Sequence, residues 1–265
     1  MKIDVPFKIN LGLYVTRKRD DGYHDLETIF YPVDNVKDSI EMEKNGDQMC
    51  FSMEGADFEV NPEKNLCVKA FRILQKEFDL QCVKIHLSKR IPSGAGLGGG
   101  SSDAAGVLKL TNELFALGLS NEELKKRAEQ LGSDVPFFID CTPTFATGRG
   151  EIMENFPLSL AEKQISVFKP DFSISTAEAY AQIRPQAGRK DLREIIQKDA
   201  IFWHNNLVND FETALFPKYP QLAKIKEKFY EMGADFASLS GSGSAIFAIA
   251  NEKIKLSPIF AGKDL

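Results

Sequence analysis

The sequence predicts an α+β protein of two domains, and three patterns predict it. Strand-period runs open the chain, helical-period runs fill its middle, and the alternation restarts near residue 155 with a strand and closes on a strand pair. A chain of 265 residues is long enough to bury one large core or two ordinary ones, and 43% hydrophobic with 27% charged residues is the balance of an ordinary folded protein. A net charge of −5 disfavours nonspecific binding to nucleic acid or anionic membrane. Cys50, Cys67, Cys82 and Cys141 lie far apart with no C-x-x-C pair, which argues against a metal cluster or a disulfide framework. "MKIDVPFKIN" lacks the apolar run of a signal peptide, and no segment supplies the roughly 20 apolar residues of a membrane span. The expected location is the cytoplasm.

In "VPFKINLGLYV", Val5, Phe7, Ile9, Leu11, Leu13 and Val15 alternate with Pro6, Lys8, Asn10, Gly12 and Tyr14, the period of a strand that puts Lys8 and Asn10 on one face. "RKRDDGYHD" is polar and turns at Asp21-Gly22, and "LETIFYPV" and "SIEMEK" read as further short strands. From "NPEKNLCVKAFRILQKEF" the period becomes helical, with Leu66, Ala70, Ile73, Leu74 and Phe78 near one stripe; "CVKIHLSKRI" returns to strand period. Ala104, Val107, Leu108, Leu114 and Phe115 form the next helical stripe, ending at Gly118, and Ser120-x-x-Glu123 is a capping box for another helix. "GSDVPFFID" then places Asp134 in a tight, proline-containing turn. Beyond "TPTFATGRGEIM", "QISVFKP" is a strand, helices are expected around 176–183, 191–198 and 219–232, and "DFASLS" pairs with "AIFAIAN" across "GSGS". The domains are accordingly expected to be 1–155 and 156–265.

The segment 91–105, "IPSGAGLGGGSSDAA", has five glycines. Glycine at such density permits positive φ and lets a ligand approach bare backbone. If the loop opens a helix, unbonded N–H groups and the positive end of the helix dipole point into one space, which suits phosphate. Ser101 and Ser102 stand where loop becomes helix, with hydroxyls able to cap it, to contact phosphate oxygens or to help hold Mg²⁺. Gly94-x-Gly96-x-x-Gly99 formally matches the dinucleotide fingerprint, but two helices follow it in succession where a βαβ unit needs helix then strand. A P-loop needs Gly-Lys-Ser/Thr, whereas Gly99 is followed by Gly100 and Ser101. Neither a protein-kinase H-R-D or D-F-G set nor a G-x-S-x-G elbow around Ser101, Ser102 or Ser242 is present. What remains is an anion cradle without a lysine of its own.

Together, "PSGAGLGGGSSDAA", "KINLGLYVTRKRDDGYHDLETIF" and "SLSGSGSAIFA" resemble the three motifs of the GHMP kinases, the superfamily of galactokinase, homoserine kinase, mevalonate kinase and phosphomevalonate kinase. "KINL", "DGYH", "GLGGGSSDAA" and "GSDVPFF" are similar to the branch that phosphorylates a cytidylyl sugar alcohol. The resemblance implies the GHMP kinase fold, an amino-terminal domain like ribosomal protein S5 domain 2 followed by a ferredoxin-like carboxyl-terminal domain. It implies transfer of the γ-phosphoryl group of ATP, brought with Mg²⁺ and no assigned protein metal ligand, to an alcohol hydroxyl. Asp134 is then the general base, and Lys8 pairs with it and polarises the hydroxyl, a sensible division because an alcohol is a poor nucleophile at neutral pH. Pro92, Ser93, Gly94, Ala95, Gly96, Leu97, Gly98, Gly99, Gly100, Ser101 and Ser102 wrap the ATP phosphates, with Asn65 and Lys89 near the adenine end. For the acceptor, Asn10 shares the Lys8 face, His24 reads the cytosine edge, Tyr23 and Tyr180 stack on its two faces, and Thr176 lies near the substrate phosphates or sugar. The turn 240–244 either approaches the phosphates or acceptor tail or is a tight turn between strands. Asp103 is expected to point away from phosphate. The expected partners are thus two small molecules, with no nucleic acid or membrane. A GHMP kinase for another alcohol, of homoserine or mevalonate type, or a nucleotide-binding protein without turnover are the alternatives.

Overall fold

The longer strands and helices fall where periodicity puts them, with changes of scale in the long strands. The computed structural model describes residues 1–55, 61–186 and 188–265. In chain order the elements are β1 (Lys2–Lys18), β2 (His24–Lys44), β3 (Cys50–Glu54), α1 (Leu66–Phe78), β4 (Val83–Ser88), α2 (Gly99–Leu114), α3 (Asn121–Ala128), α4 (Phe137–Asp140), β5 (Thr144–Thr147) and β6 (Ile152–Asn155). They continue with β7 (Gln164–Pro170), α5 (Thr176–Ala181), α6 (Leu192–Ile196), α7 (Ala200–Asn206), α8 (Asp210–Leu215), α9 (Pro220–Glu231), β8 (Phe236–Leu239), β9 (Ile246–Ala250) and β10 (Gly262–Asp264). No helix among the described residues is long and apolar enough to cross a membrane.

The chain forms two compact units. The first comprises Met1–Phe7, Asp34–Ser93 and Gly98–Thr142, and the second Lys8–Val33, Gly94–Leu97 and Pro143–Leu265. In the first, β4 pairs antiparallel with the end of β2, from Ser39↔Ser88 to Lys44↔Val83, and parallel with β3, from Cys50↔Lys84 to Glu54↔Ser88. α1 lies along α2. Gly106 makes the close approach of α2 possible, because a Cβ there would come within 2.7 Å of both Val5 Cγ1 and Ile40 Cδ1. The predicted capping box forms: Ser120 accepts from the Glu123 backbone while the Glu123 carboxylate accepts from the Ser120 N–H at 2.9 Å.

In the second unit, the start of β2 pairs with β5 from Thr28↔Ala146 to Phe30↔Thr144, and β5 with β6. A separate four-stranded antiparallel sheet has the order β10-β7-β9-β8, with α9 against β8 and β9. Its core includes Leu13, Val15, Phe168, Phe211, Leu215, Leu222, Phe229, Leu239 and Ile246, all buried.

Two expectations change. "LETIFYPV" and "SIEMEK" belong to one strand, β2; the polar residues between them mark where it leaves the β5 ladder for the β4 ladder. Ladder hydrogen bonds on successive partners override the local loss of hydrophobicity. β1 is buried on both faces from residue 7 to 15, so Lys8 and Asn10 are interior. The hairpin β5–β6 and helices α7 and α8 were not anticipated, since segments of four to seven residues are too short to display a period.

Candidate active site

The glycine-rich segment has the backbone its composition demands. Gly94, Gly96 and Gly98 sit at φ +62°, +74° and +71°, left-handed at every second position, while Ala95 and Leu97 between them turn their side chains inward to 1% exposure. Any ligand therefore meets Ala95 and Leu97 as backbone. Within the second unit, successive carbonyls of this segment are tied down: Ala95 O accepts from Ala245 N at 3.1 Å, Gly96 O from Ser240 Oγ at 3.0 Å, and Leu97 O from Lys8 N at 2.9 Å. Carbonyl oxygens would repel phosphate, and these are spent on the protein. Gly96 is sterically obligatory, because a Cβ would fall 2.0 Å from Ser240 O.

Within the first unit, α2 starts at Gly99 behind an N-cap, Gly98, that has no side-chain cap bond. The serines thus do not cap the helix. Ser102 is buried, and its Oγ donates to Pro6 O at 2.5 Å, whereas Ser101 is half-buried. The first-turn N–H groups of α2, at the positive end of its dipole, consequently have no competing side-chain cap. Asn65 caps α1, its Oδ1 accepting from Cys67 N at 2.8 Å, and Leu66 Cδ1 lies 3.9 Å from the Cβ position of Gly100, so the starts of α1 and α2 adjoin.

Under α2 lies a buried charge cluster. Lys89 Nζ donates to Asp103 Oδ2 at 2.8 Å and to Asp38 Oδ2, and Asp38 Oδ1 accepts from the N–H groups of Arg90 and Ile91 at 2.6 and 2.8 Å. A Cβ on Gly99 would be 3.3 Å from that ammonium. Burial works against the Lys89 charge, but the two carboxylates outweigh it and raise its pKa. Asp103 is pushed up to about 7, by burial above all; Lys89 opposes the shift and Asp38 reinforces it. Its Oδ1 has no hydrogen-bond partner among the described residues. Asp103 turns inward, as expected of an acid beside a phosphate site. Lys89, expected near adenine, has its ammonium held inside by two carboxylates. Asp134 is half-buried in the turn leading into α4, and Lys109 Nζ of α2 donates to Phe138 O of α4 at 2.8 Å, tying that helix to α2.

In the second unit, Lys8 is 4% exposed and donates to Asn10 Oδ1 at 2.5 Å; Asn10 Nδ2 donates to Thr28 Oγ1 at 2.9 Å, and Thr28 donates to Gly12 O at 2.6 Å. This directional relay orients the ammonium, whose Nζ also lies 5.1 Å from the Phe30 ring centroid. Asn10, expected to touch substrate, is 1% exposed with both ends of its amide in the relay.

The aromatic residues gather on the same unit. His24 and Tyr180 stack on each other, centroids 5.0 Å apart at 27°, and Tyr180 meets Phe211 edge-on at 4.9 Å. His24 and Tyr180 are thus one aromatic surface, where the resemblance implied an edge-reading His24 and a separate stacking Tyr180. Tyr23 is 57% exposed with the Arg149 guanidinium 5.0 Å from its ring centroid, and its hairpin closes through Arg19 N donating to Tyr23 O at 2.8 Å. Thr176 is exposed at the start of α5, behind the N-cap Ser175. Burial, then the charge of Lys18, pull His24 below the ordinary imidazole value, favouring the neutral ring that both donates and accepts. Sequence reasoning missed Arg149 over the Tyr23 ring and Asn209, buried at the N-cap of α8; the "ND" preceding "FETAL" is an N-cap signal that could have drawn attention to Asn209.

Comparison with known proteins places this geometry in a family. Residues 65–141 match the GHMP kinases N-terminal domain, and 183–259 the GHMP kinases C-terminal domain. A relative from Bacteroides thetaiotaomicron named 4-diphosphocytidyl-2-C-methyl-D-erythritol kinase is 49% identical over 91% of this chain and 89% of its own, and one of the same name from Parabacteroides distasonis is 46% identical with the same shares. A crystal structure of 4-(cytidine 5'-diphospho)-2C-methyl-D-erythritol kinase superposes with TM-score 0.82 at 32% identity, covering 94% of this chain and 90% of that one. Homoserine kinase from Cytophaga hutchinsonii shares the fold, with TM-score 0.73 at 16% identity over 95% of this chain and 85% of its own. With both family domains matched and such identity extending over most of its length, the chain belongs to the GHMP kinase family.

Proposed function

We infer that the chain transfers the γ-phosphoryl group of ATP to the 2-hydroxyl of 4-diphosphocytidyl-2-C-methyl-D-erythritol, a step of the non-mevalonate route to isoprenoid precursors. The observation that carries this is the 49% identity, over 91% of the chain, to a kinase of that name. The acceptor is supported by the His24–Tyr180 stack, a π-surface beside a neutral imidazole, which suits a pyrimidine and has no use in a kinase for homoserine or mevalonate. Likeness to the homoserine kinase, at 16% identity, speaks for the fold alone.

Phosphoryl transfer asks a protein to position two anions and to stabilise spreading charge. The loop 92–102 does the first through backbone N–H groups, with its carbonyls at 95–97 turned away. Asp134 takes the proton of the acceptor hydroxyl, and Lys8, aimed by Asn10 and Thr28, stabilises the developing alkoxide. Tyr23, His24 and Tyr180 hold the cytosine, with Thr176 toward the phosphates or sugar. Asn65 serves the adenine end; Lys89, enclosed by Asp103 and Asp38 beside Gly99, supports the start of α2 from beneath. Among the described residues no group of three or more His, Cys, Asp or Glu converges to hold a metal ion. Mg²⁺ is read as part of the MgATP substrate, with no protein ligand assigned to it. Residues 1–155 and 156–265 are the proposed domains, supported by family matches on either side of the division, and the cytoplasm the proposed site of action.

The test is ADP release from MgATP with a panel of acceptor alcohols. Turnover specific to the cytidylyl acceptor is expected. Equal or better turnover of homoserine or mevalonate would sink the assignment, and ATP binding without turnover on any acceptor would leave a nucleotide-binding protein.

A further inference from the structure

Asn209 is 1% exposed and stands at the N-cap of α8, where its Oδ1 accepts from Phe211 N at 2.9 Å. That bond is what any N-cap residue makes. Its Nδ2 does something further, donating to Leu239 O at 2.8 Å and to Gly241 O at 2.9 Å, on either side of Ser240. Backbone bonding fixes Asn209 in turn: it bridges Leu13 of β1, and Leu13 N donates to Val208 O at 2.9 Å. The turn that Asn209 grips is the one that grips the glycine loop. Ser240 Oγ donates to Gly96 O, Ala245 N donates to Ala95 O, and Ser240 O occupies the space a Gly96 side chain would need.

We propose that Asn209 is a positioning residue for the ATP-binding loop, its amide locating the 239–241 turn so that Ser240 and Ala245 hold the carbonyls of Gly96 and Ala95 away from the phosphates. This rests on the reading of the loop as the ATP site. An amide is required because the position needs two N–H donors and one acceptor on a single short side chain. Carboxylate, hydroxyl and methyl each lack the donors. The chain of bonds runs from β1 through Asn209 and the turn to residues 95 and 96, and then through Leu97 O back to Lys8 N on β1. The donor loop and the strand bearing Lys8 are thereby held by one closed set of contacts within one unit.

Asn209→Asp separates this role from helix capping. Aspartate caps as well as asparagine and keeps the acceptor for Phe211 N, but presents an oxygen to two carbonyl oxygens. The expected result, read by ADP release with the cytidylyl acceptor, is a rise in KM for ATP of about tenfold, with KM for the acceptor changed less than about twofold. Ser240→Ala removes only the hydroxyl that holds Gly96 O; it should leave the fold intact and raise KM for ATP in the same direction. Because the two side chains act through one turn, their effects in the double variant should fall short of the product of the single effects. A folded Asn209→Asp protein with unchanged KM for ATP reduces Asn209 to a helix cap and overturns the proposal. If that variant does not fold, an unchanged KM for ATP in Ser240→Ala overturns it instead. Failure of the ATP-site reading would appear separately, as wild-type protein that releases no ADP.

Discussion

Single residues divide the chemistry between them, and each division can be measured. Asp134 is proposed to act only on the acceptor proton, so Asp134→Asn should lower kcat by about 10²–10⁴ while ATP affinity measured by titration calorimetry stays within a few-fold. Collapse of ATP binding instead would remove it from the role of base. His24 is expected to read the base while neutral. His24→Ala should raise KM for the acceptor by roughly tenfold or more and leave KM for ATP unchanged. The sign with pH follows from its depressed pKa: the imidazole stays neutral through the ordinary value of about 6.5, and acceptor KM climbs only as pH falls further below it. A climb that begins above that value would contradict the neutral ring.

At the scale of elements, the start of α2 is the informative piece, because the helix end proposed to face phosphate adjoins a buried group of two carboxylates and one ammonium. Stripping Lys89 of its charge would leave both acids uncompensated, a loss of about 3–5 kcal/mol, far more than an exposed pair contributes. Asp103 has its pKa raised from 3.8 to about 7, so the folded state holds its proton more tightly than the unfolded chain does. Its contribution to stability is therefore full below about pH 4 and is lost as pH rises to about 7. Asp103→Asn cannot titrate, and the fall in urea-unfolding free energy between about pH 4 and about pH 7 should be shallower in it than in the parent. An equal fall in both would place the titration elsewhere.

For the whole molecule, ligand linkage reports whether the loop binds as proposed. MgATP at 100 times its Kd should add about 2.7 kcal/mol to stability and raise Tm. Gly96→Ala should show no such rise, because its methyl collides with Ser240 O. A normal ATP-induced shift in that variant would exclude the 94–97 backbone from the site. Much of the architecture could be read along the chain: β7, the β8–β9 pair and the Ser120 capping box lie where pattern put them. The glycine loop was equally legible, since left-handed φ at Gly94, Gly96 and Gly98 is a demand each residue meets by itself. Less was visible of what surrounds it. The burial of Lys8, the enclosure of Lys89, the His24–Tyr180 stack and the grip of Asn209 on the turn depend on partners far away in sequence, such as Ser240 and Gly96 at a separation of 144 residues. By itself, then, the sequence determined the glycine-rich loop and the alternation of elements, because backbone freedom, capping and periodicity act over a few residues, whereas the candidate acid and aromatic residues came with the family resemblance. Only the tertiary structure decided which polar side chains are buried and consumed in holding others, because that depends on what desolvates and pairs each group across the fold.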